Sequence, residues 1–228
     1  MQSEVRLQRD YYARTAGSYD TMHVPTDETD THFFALNMLA SFSNFYRVQT
    51  ILDLGSGTGR TPIWIKSNMK DVEVVGVEPV RQMREQGWKK GLATTELVDG
   101  DATSLNFADN SFDAVCAFGV LHHIRNPTLA VAEMLRVSKK MVFISDGNNF
   151  GQGSAISRLI KQTVHAMGLW PLLNLIKTRG KGYSITEGDG SAYSYSIQEF
   201  QANQEGLPHD PSLQLFRYTI DRPLPWGR

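Results

Sequence analysis

The sequence is poor in the features that mark a disulfide framework, a membrane span or a nucleic-acid binder. It holds one cysteine, Cys116, in 228 residues, so no internal disulfide can form and a reducing, cytoplasmic setting is expected. Cys116 lies in an apolar run and reads as a small core residue rather than a nucleophile. No run of about 18 apolar residues occurs, which leaves nothing to cross a bilayer as a helix. The opening Met1-Gln-Ser-Glu-Val-Arg has no apolar stretch of the signal-peptide kind. The formal net charge is −1, which gives no overall attraction to nucleic acid. No metal site is expected, and no oligomeric state is implied. What remains is an ordinary globular balance, 41% hydrophobic and 21% charged, in a length that suits one α/β domain with a small insertion.

Two helices are expected first, over residues 3–16 and 31–45, separated by a turn-rich stretch at 25–30. From residue 50 the pattern changes to strands alternating with helices. Strands are expected at 50–54, 73–77, 96–98, 112–118 and 141–145, and Pro62 suits the first turn of the helix after the first of them. Five short strands, apolar on both faces and separated by helices, predict a parallel sheet covered on both sides. After Asp146 the rhythm breaks. A loop at 147–153, helices at 154–167 and 171–177, a hairpin at 183–196 turning on Gly188-Asp-Gly190, a capped helix from Ser196 to Gly206 and one more strand at 213–220 are expected there.

Three segments carry the chemistry. Asp53-Leu-Gly55-Ser56-Gly57-Thr-Gly59 follows a strand and precedes a helix, so its glycines allow a tight turn and a close ligand approach at the carboxyl edge of the sheet. The dinucleotide fingerprint needs a third glycine where Arg60 stands, and a zwitterionic amino-acid tail fits this loop better than a pyrophosphate. Glu78, followed by Pro79, ends the second strand, where an acid can accept hydrogen bonds from both ribose hydroxyls; an NAD enzyme would place an acid there too. Asp101, in Gly100-Asp101-Ala102, can accept from the exocyclic amine of an adenine.

Taken in order, Ile51-Leu-Asp-Leu-Gly-Ser-Gly-Thr-Gly59, Gly76-Val-Glu-Pro79, Gly100-Asp-Ala-Thr-Ser-Leu-Asn-Phe-Ala-Asp-Asn-Ser-Phe-Asp113 and Val120-Leu-His-His-Ile124 resemble the type 11 branch of the class I S-adenosylmethionine-dependent methyltransferases. The resemblance covers roughly residues 7–145 and includes Tyr19-Asp20, which resembles that family's N-terminal lid. It implies a Rossmann-like, doubly wound, mainly parallel sheet of six or seven strands in a single domain (1–228), with a helical lid (1–46) and an inserted helical cap (147–195). It also implies S-adenosylmethionine as cofactor and S-adenosylhomocysteine as product. Asp53, Gly55, Ser56 and Gly57 would line the methionine end, Glu78 and Pro79 the ribose, and Asp101 with Ala102 the adenine. Phe118 and Gly119 would sit beneath the sulfonium, and Tyr19, Tyr11 or Tyr12 would offer it an aromatic face. The family's sheet ends with two further strands, one antiparallel, whereas this sequence offers only 213–220; the tail at 221–228 has two prolines and cannot be a central strand.

His122 and His123 follow the fourth strand beside the expected methyl position. A histidine there suits general-base work on a hydroxyl, or it holds the loop by hydrogen bonds to the backbone. No N/D-P-P-Y/F motif follows that strand, which disfavours transfer to an adenine or glutamine amino group. Between Gly147 and Thr186 there is no Asp or Glu, while Arg158, Lys161, Lys177, Arg179 and Lys181 give the segment +5 and leave −6 on the rest. Its apolar residues are expected to pack over the acceptor pocket, with the lysines in water. A sharper expectation is a cap that meets an acidic or lipid-borne acceptor at a membrane surface. The reading as a whole is methyl transfer to a small-molecule acceptor, oxygen-directed by preference. An NAD(P)-dependent oxidoreductase and a non-catalytic protein that binds the same cofactor are the alternatives.

Overall fold

A computed structural model of the chain describes residues 2–23, 31–147, 154–186, 190–194 and 214–219. The order is α1 (Gln2–Thr15), α2 (Tyr19–His23), α3 (Thr31–Phe45), β1 (Thr50–Leu54), α4 (Arg60–Asn68), β2 (Glu73–Val77), α5 (Arg81–Lys89), β3 (Leu97–Val98), β4 (Phe112–Phe118), a 3-10 turn (Leu121–His123), α6 (Pro127–Val137), β5 (Ser138–Asp146), α7 (Ala155–Ala166), α8 (Trp170–Lys177), β6 (Tyr183–Thr186), β7 (Gly190–Tyr193) and β8 (Gln214–Thr219). The strands form one six-stranded sheet, ordered β3-β2-β1-β4-β5-β8, and a separate β6–β7 hairpin. Every pairing in the large sheet is parallel.

Period-two burial builds the two faces of this sheet. Leu52, Val115, Val142 and Ile144 point to one side, onto Ala130, Val131 and Met134 of α6. Ile51, Ala114, Cys116, Met141 and Phe143 point to the other, onto Ala35 and Leu39 of α3 and Ile65 of α4. Each such side chain, withdrawn from water, contributes about 1.5–3 kcal/mol, and a strand buried on both faces has no polar position to spare. The chain order turns back between β1 and β4. That switch point opens a crevice beyond the carboxyl ends of the strands, where open α/β sheets take ligands.

The strands expected from the sequence are present, with β5 longer at its start and ending at Asp146 rather than Ser145. The strand expected at 213–220 is β8, and it runs parallel beside β5; among the described residues the sheet has no antiparallel member and no seventh strand. Phe42 of α3 stacks on Phe216 at a ring-centroid distance of 4.0 Å and closes that edge. The turn at 25–30, most of the loop at 147–153 and the helix at 196–206 lie outside the described residues. One expectation is overturned. The apolar side chains of α7 and α8 do not pack down: neither helix has a buried residue, and Ile156, Leu159, Ile160, Leu172 and Ile176 all face outward. An amphipathic period shows that a helix has two faces, not which one meets the protein.

Candidate active site

Loops from four parallel strands and the N-terminal helices enclose a cavity of about 330 Å³ over the carboxyl edge of the sheet. Of the residues singled out from the sequence, Tyr19, Gly55, Gly57, Glu78, Pro79, Asp101, Ala102, Phe118, Gly119 and His123 line it. Asp53 and Ser56 lie on an adjoining smaller cavity of about 90 Å³, which shares Tyr19, Gly55, Gly57 and Phe118 with the first and adds His32 and Arg60. His122 belongs to neither lining.

The glycine loop is shaped by backbone geometry. Gly55, Gly57 and Gly59 have φ of 66°, 54° and 82°, in the left-handed region that L side chains avoid. A side chain on Gly55 would also overlap that of Val120. The Gly55 and Ser56 N–H groups both donate to the Val77 carbonyl, at 2.9 and 3.1 Å, which folds the loop against β2.

Two buried carboxylates stand under this loop. Glu78 accepts the Gly57 N–H at 3.1 Å and the Val80 N–H at 2.9 Å; burial nevertheless pushes its pKa up to about 7. Asp53 is also pushed up to about 7, by burial first and by the Glu78 charge in addition. Its Oδ1 receives the Cys116 thiol at 3.5 Å, while Oδ2 is buried with no hydrogen-bond partner among the described residues. Cys116 is buried and its thiol pKa is raised, chiefly by desolvation. Asp101 behaves differently. Burial would raise it, but the Thr103 N–H and hydroxyl on Oδ1 (2.9 and 2.7 Å) and Arg9 on Oδ2 (2.8 Å) hold it below the usual carboxylate range.

Helix α1 lies across the cavity. Tyr12, Ala16 and Tyr19 pack on Val80 and Met83 at the start of α5. Arg9 pairs with Asp101, Glu4 with Arg125 at 3.2 Å, and Asp20 with Lys90 and the Thr58 hydroxyl. Gln8 Oε1 takes the Ser191 hydroxyl at 2.6 Å, which ties the β6–β7 hairpin to the same helix.

The two histidines have separate environments. His123 Nδ1 lies 2.9 Å from the Ser191 carbonyl oxygen and 3.1 Å from Gln8 Nε2. Its Nε2 lies 2.9 Å from the Tyr12 hydroxyl. His122 turns to Asp146: its Nδ1 is 2.6 Å from Oδ1, and Oδ2 accepts the Leu121 N–H at 2.8 Å. Asp146 is fully buried. The two imidazole centroids are 3.9 Å apart. Asp146 was missed because the fifth strand was expected to stop one residue short, although an acid ending an apolar strand is the signal that singled out Glu78. His32 was missed for want of any motif; it lies 4.9 Å from Phe118, centroid to centroid, and burial lowers its pKa to about 4.

Residues 52–144, which contain all four of these sheet-edge loops, match a family model described as "Methyltransferase domain". The matched stretch is less than half of the chain, and the chain is similar there to methyltransferase domains. A demethylmenaquinone methyltransferase of Renibacterium salmoninarum is 38% identical to this chain over 91 residues, 40% of this chain and 37% of the relative. The chain thus spans less than two-fifths of that relative's length. Two solved structures share the fold. YcgJ of Bacillus subtilis has a TM-score of 0.51 at 22% identity, over 75% of this chain and 66% of its own. The plantazolicin methyltransferase BpumL, solved with S-adenosylhomocysteine, has a TM-score of 0.50 at 15% identity, over 90% of each chain. Among the described residues there is no group of three or more His, Cys, Asp and Glu that could hold a metal.

Proposed function

We propose that the chain transfers a methyl group from S-adenosylmethionine to a small acceptor that must lose a proton as it is methylated. The cofactor, when bound, supplies a sulfonium methyl that is already electrophilic, so the protein mainly has to orient the acceptor, exclude water and accept a proton. The residues at the sheet edge fit this cofactor. The unpartnered Oδ2 of Asp53 suits an ammonium group, Glu78 suits a vicinal diol, and Asp101 with Ala102 suits an adenine edge. Tyr19 and Phe118 border both cavities and offer aromatic faces to a cation between them.

The observation that carries the proton-removal reading is the His122–Asp146 pair, which stands beside the cavity lining with its imidazole 3.9 Å, centroid to centroid, from that of the cavity-lining His123. Asp146 accepts Nδ1–H and is itself fixed by a backbone N–H, which sets the tautomer so that Nε2 is the basic nitrogen. His123 has a different duty: with its ring held between Tyr12 and Ser191, it joins α1 to the hairpin and closes the cavity. A hydroxyl oxygen is the preferred acceptor atom, since a hydroxyl nucleophile needs such a base. A second reading is methylation at carbon on a phenolic ring, which needs the same proton removed. It is favoured by the relative named for demethylmenaquinone.

The test is a panel of alcohols, phenols and naphthoquinols incubated with methyl-labelled cofactor. Transfer to at least one hydroxylated acceptor is expected. Asp146→Asn and His122→Gln should depress kcat while leaving S-adenosylhomocysteine affinity unchanged. Tight binding with no transfer to any acceptor would favour a regulatory protein, and transfer undiminished in both variants would remove the base.

A further inference from the structure

Helices α7 and α8 are inside out. On α7, Ile156, Leu159, Ile160 and Met167 follow an i, i+3, i+4, i+11 spacing and form a single stripe, and all four are exposed, Ile156 by 73% and Met167 by 65%. The opposite side of the same helix carries Ser157, Arg158, Lys161 and Val164, and these are its half-buried residues, two of them cations. Lys161 has a lowered pKa, from burial first and the nearby Lys177 second. On α8, Leu172 and Ile176 are 57% and 68% exposed, whereas Trp170 is half-buried and its Nε1–H donates to Ser194 Oγ at 2.8 Å. More than half of the exposed large apolar side chains among the described residues lie in this short segment. A soluble surface disperses such groups, and a continuous run of them marks a face that something covers.

The charge pattern identifies the cover. Lys177, Arg179 and Lys181 are exposed at and just past the end of α8, next in sequence to its apolar side chains. Residues 147–186 hold no acidic side chain, although the chain as a whole has 24 acids to 23 bases. A second copy of this chain would bring the same cations to the interface and repel it. An anionic bilayer satisfies both halves of the pattern, with apolar side chains entering the acyl boundary and cations remaining among the headgroups. We infer that α7 and α8 form a peripheral docking surface for an anionic lipid bilayer. The position gives this consequence: α7 follows the carboxyl end of β5, and α8 leads through Gly182 into the hairpin whose Ser191 and Tyr193 line the cavity. A docked α7–α8 surface joins the bilayer to a wall of that cavity, a direct route for an acceptor dissolved in lipid.

Flotation of the intact chain with vesicles tests this, since it needs no methyl transfer and is independent of the proposed reaction. Vesicles of equal parts phosphatidylglycerol and phosphatidylcholine should carry the protein, more weakly as salt rises, and vesicles of phosphatidylcholine alone should not. Ile160→Asp with Ile176→Asp should abolish flotation. Neutralising Lys177, Arg179 and Lys181 together to Gln should weaken partitioning on the order of 100-fold, at roughly five-fold per cation. Both variants lie outside the cavity and should bind S-adenosylhomocysteine as the wild type does, which separates lost docking from lost folding. No flotation at low salt, or equal capture by both kinds of vesicle, overturns the inference. So does a dimer in light scattering that Ile160→Asp with Ile176→Asp converts to monomer, because a second copy would then be the cover.

Discussion

The sheet from β1 to β5 and the helix pair α7–α8 are built from similar residues and put them to opposite uses. In the sheet, Ile51, Leu52, Phe143 and Ile144 are withdrawn from water on alternating sides, and each is held by a helix whose own apolar stripe faces it. In α7 and α8 the isoleucines and leucines are as numerous, yet none is buried. The difference lies in what surrounds them. A parallel strand has neighbours on both edges and helices on both faces, so burial follows from the topology. A helix inserted after the last strand of a βα series has no assigned partner, and its orientation is decided by what the completed surface has to meet.

The largest expected effect lies at the catalytic end of the sheet. His122→Ala should lower kcat by roughly 10²–10⁴-fold, the usual worth of a positioned base, with calorimetric affinity for S-adenosylhomocysteine unchanged. Next is the core itself: Phe143→Ala should cost about 3–5 kcal/mol in chemical denaturation, from lost burial and the cavity left behind. That places Phe143 on the same footing as the core of any close-packed domain, and a smaller loss would mean the two regions differ less than their burial implies.

The third effect concerns pH. Glu78 and Asp53 have folded-state pKa values raised to about 7, above the ordinary carboxylate range. The folded chain therefore holds more protons than the unfolded chain between about pH 4 and pH 7, and the stability of the ligand-free protein should fall as pH rises through that window. Cofactor affinity should run the other way, because the diol and ammonium need ionised acceptors. At pH 6 a carboxylate of pKa about 7 is only about one-tenth ionised, so S-adenosylhomocysteine should bind about ten-fold more weakly than at pH 8. In Glu78→Gln that dependence should shrink. Smallest of all, Leu172→Ala in α8 should shift stability by less than about 0.5 kcal/mol. A loss of 2 kcal/mol or more would place α8 in the core and erase the contrast.

Much of the sheet edge was legible in the sequence because its signals are local. Asp53, the glycine loop, Glu78 and Asp101 lie at or just beyond the carboxyl ends of β1, β2 and β3, and a parallel sheet brings all such ends to one edge. What escaped depends on contacts between distant segments. Arg9 reaches Asp101 across 92 residues of chain and Gln8 reaches Ser191 across 183, and no spacing in α1 announces either. His122 and His123 are identical neighbours in the sequence. Only the fold separates them, by turning one ring to the buried Asp146 and the other to Tyr12 and Ser191. The orientation of α7 was misjudged for the reason its pattern was recognised: periodicity reports two faces and is silent on which one the protein covers.

The central claim is that the carboxyl edge of the sheet is shaped for one adenosyl amino acid, and isothermal titration with S-adenosylhomocysteine addresses it most directly. The account predicts saturable one-to-one binding to the wild-type chain, at least ten-fold weakened in Glu78→Ala by loss of a charge-assisted hydrogen-bond pair, with NAD giving no heat under the same conditions. Binding of NAD in preference to S-adenosylhomocysteine, or equal affinity in wild type and Glu78→Ala, would contradict it.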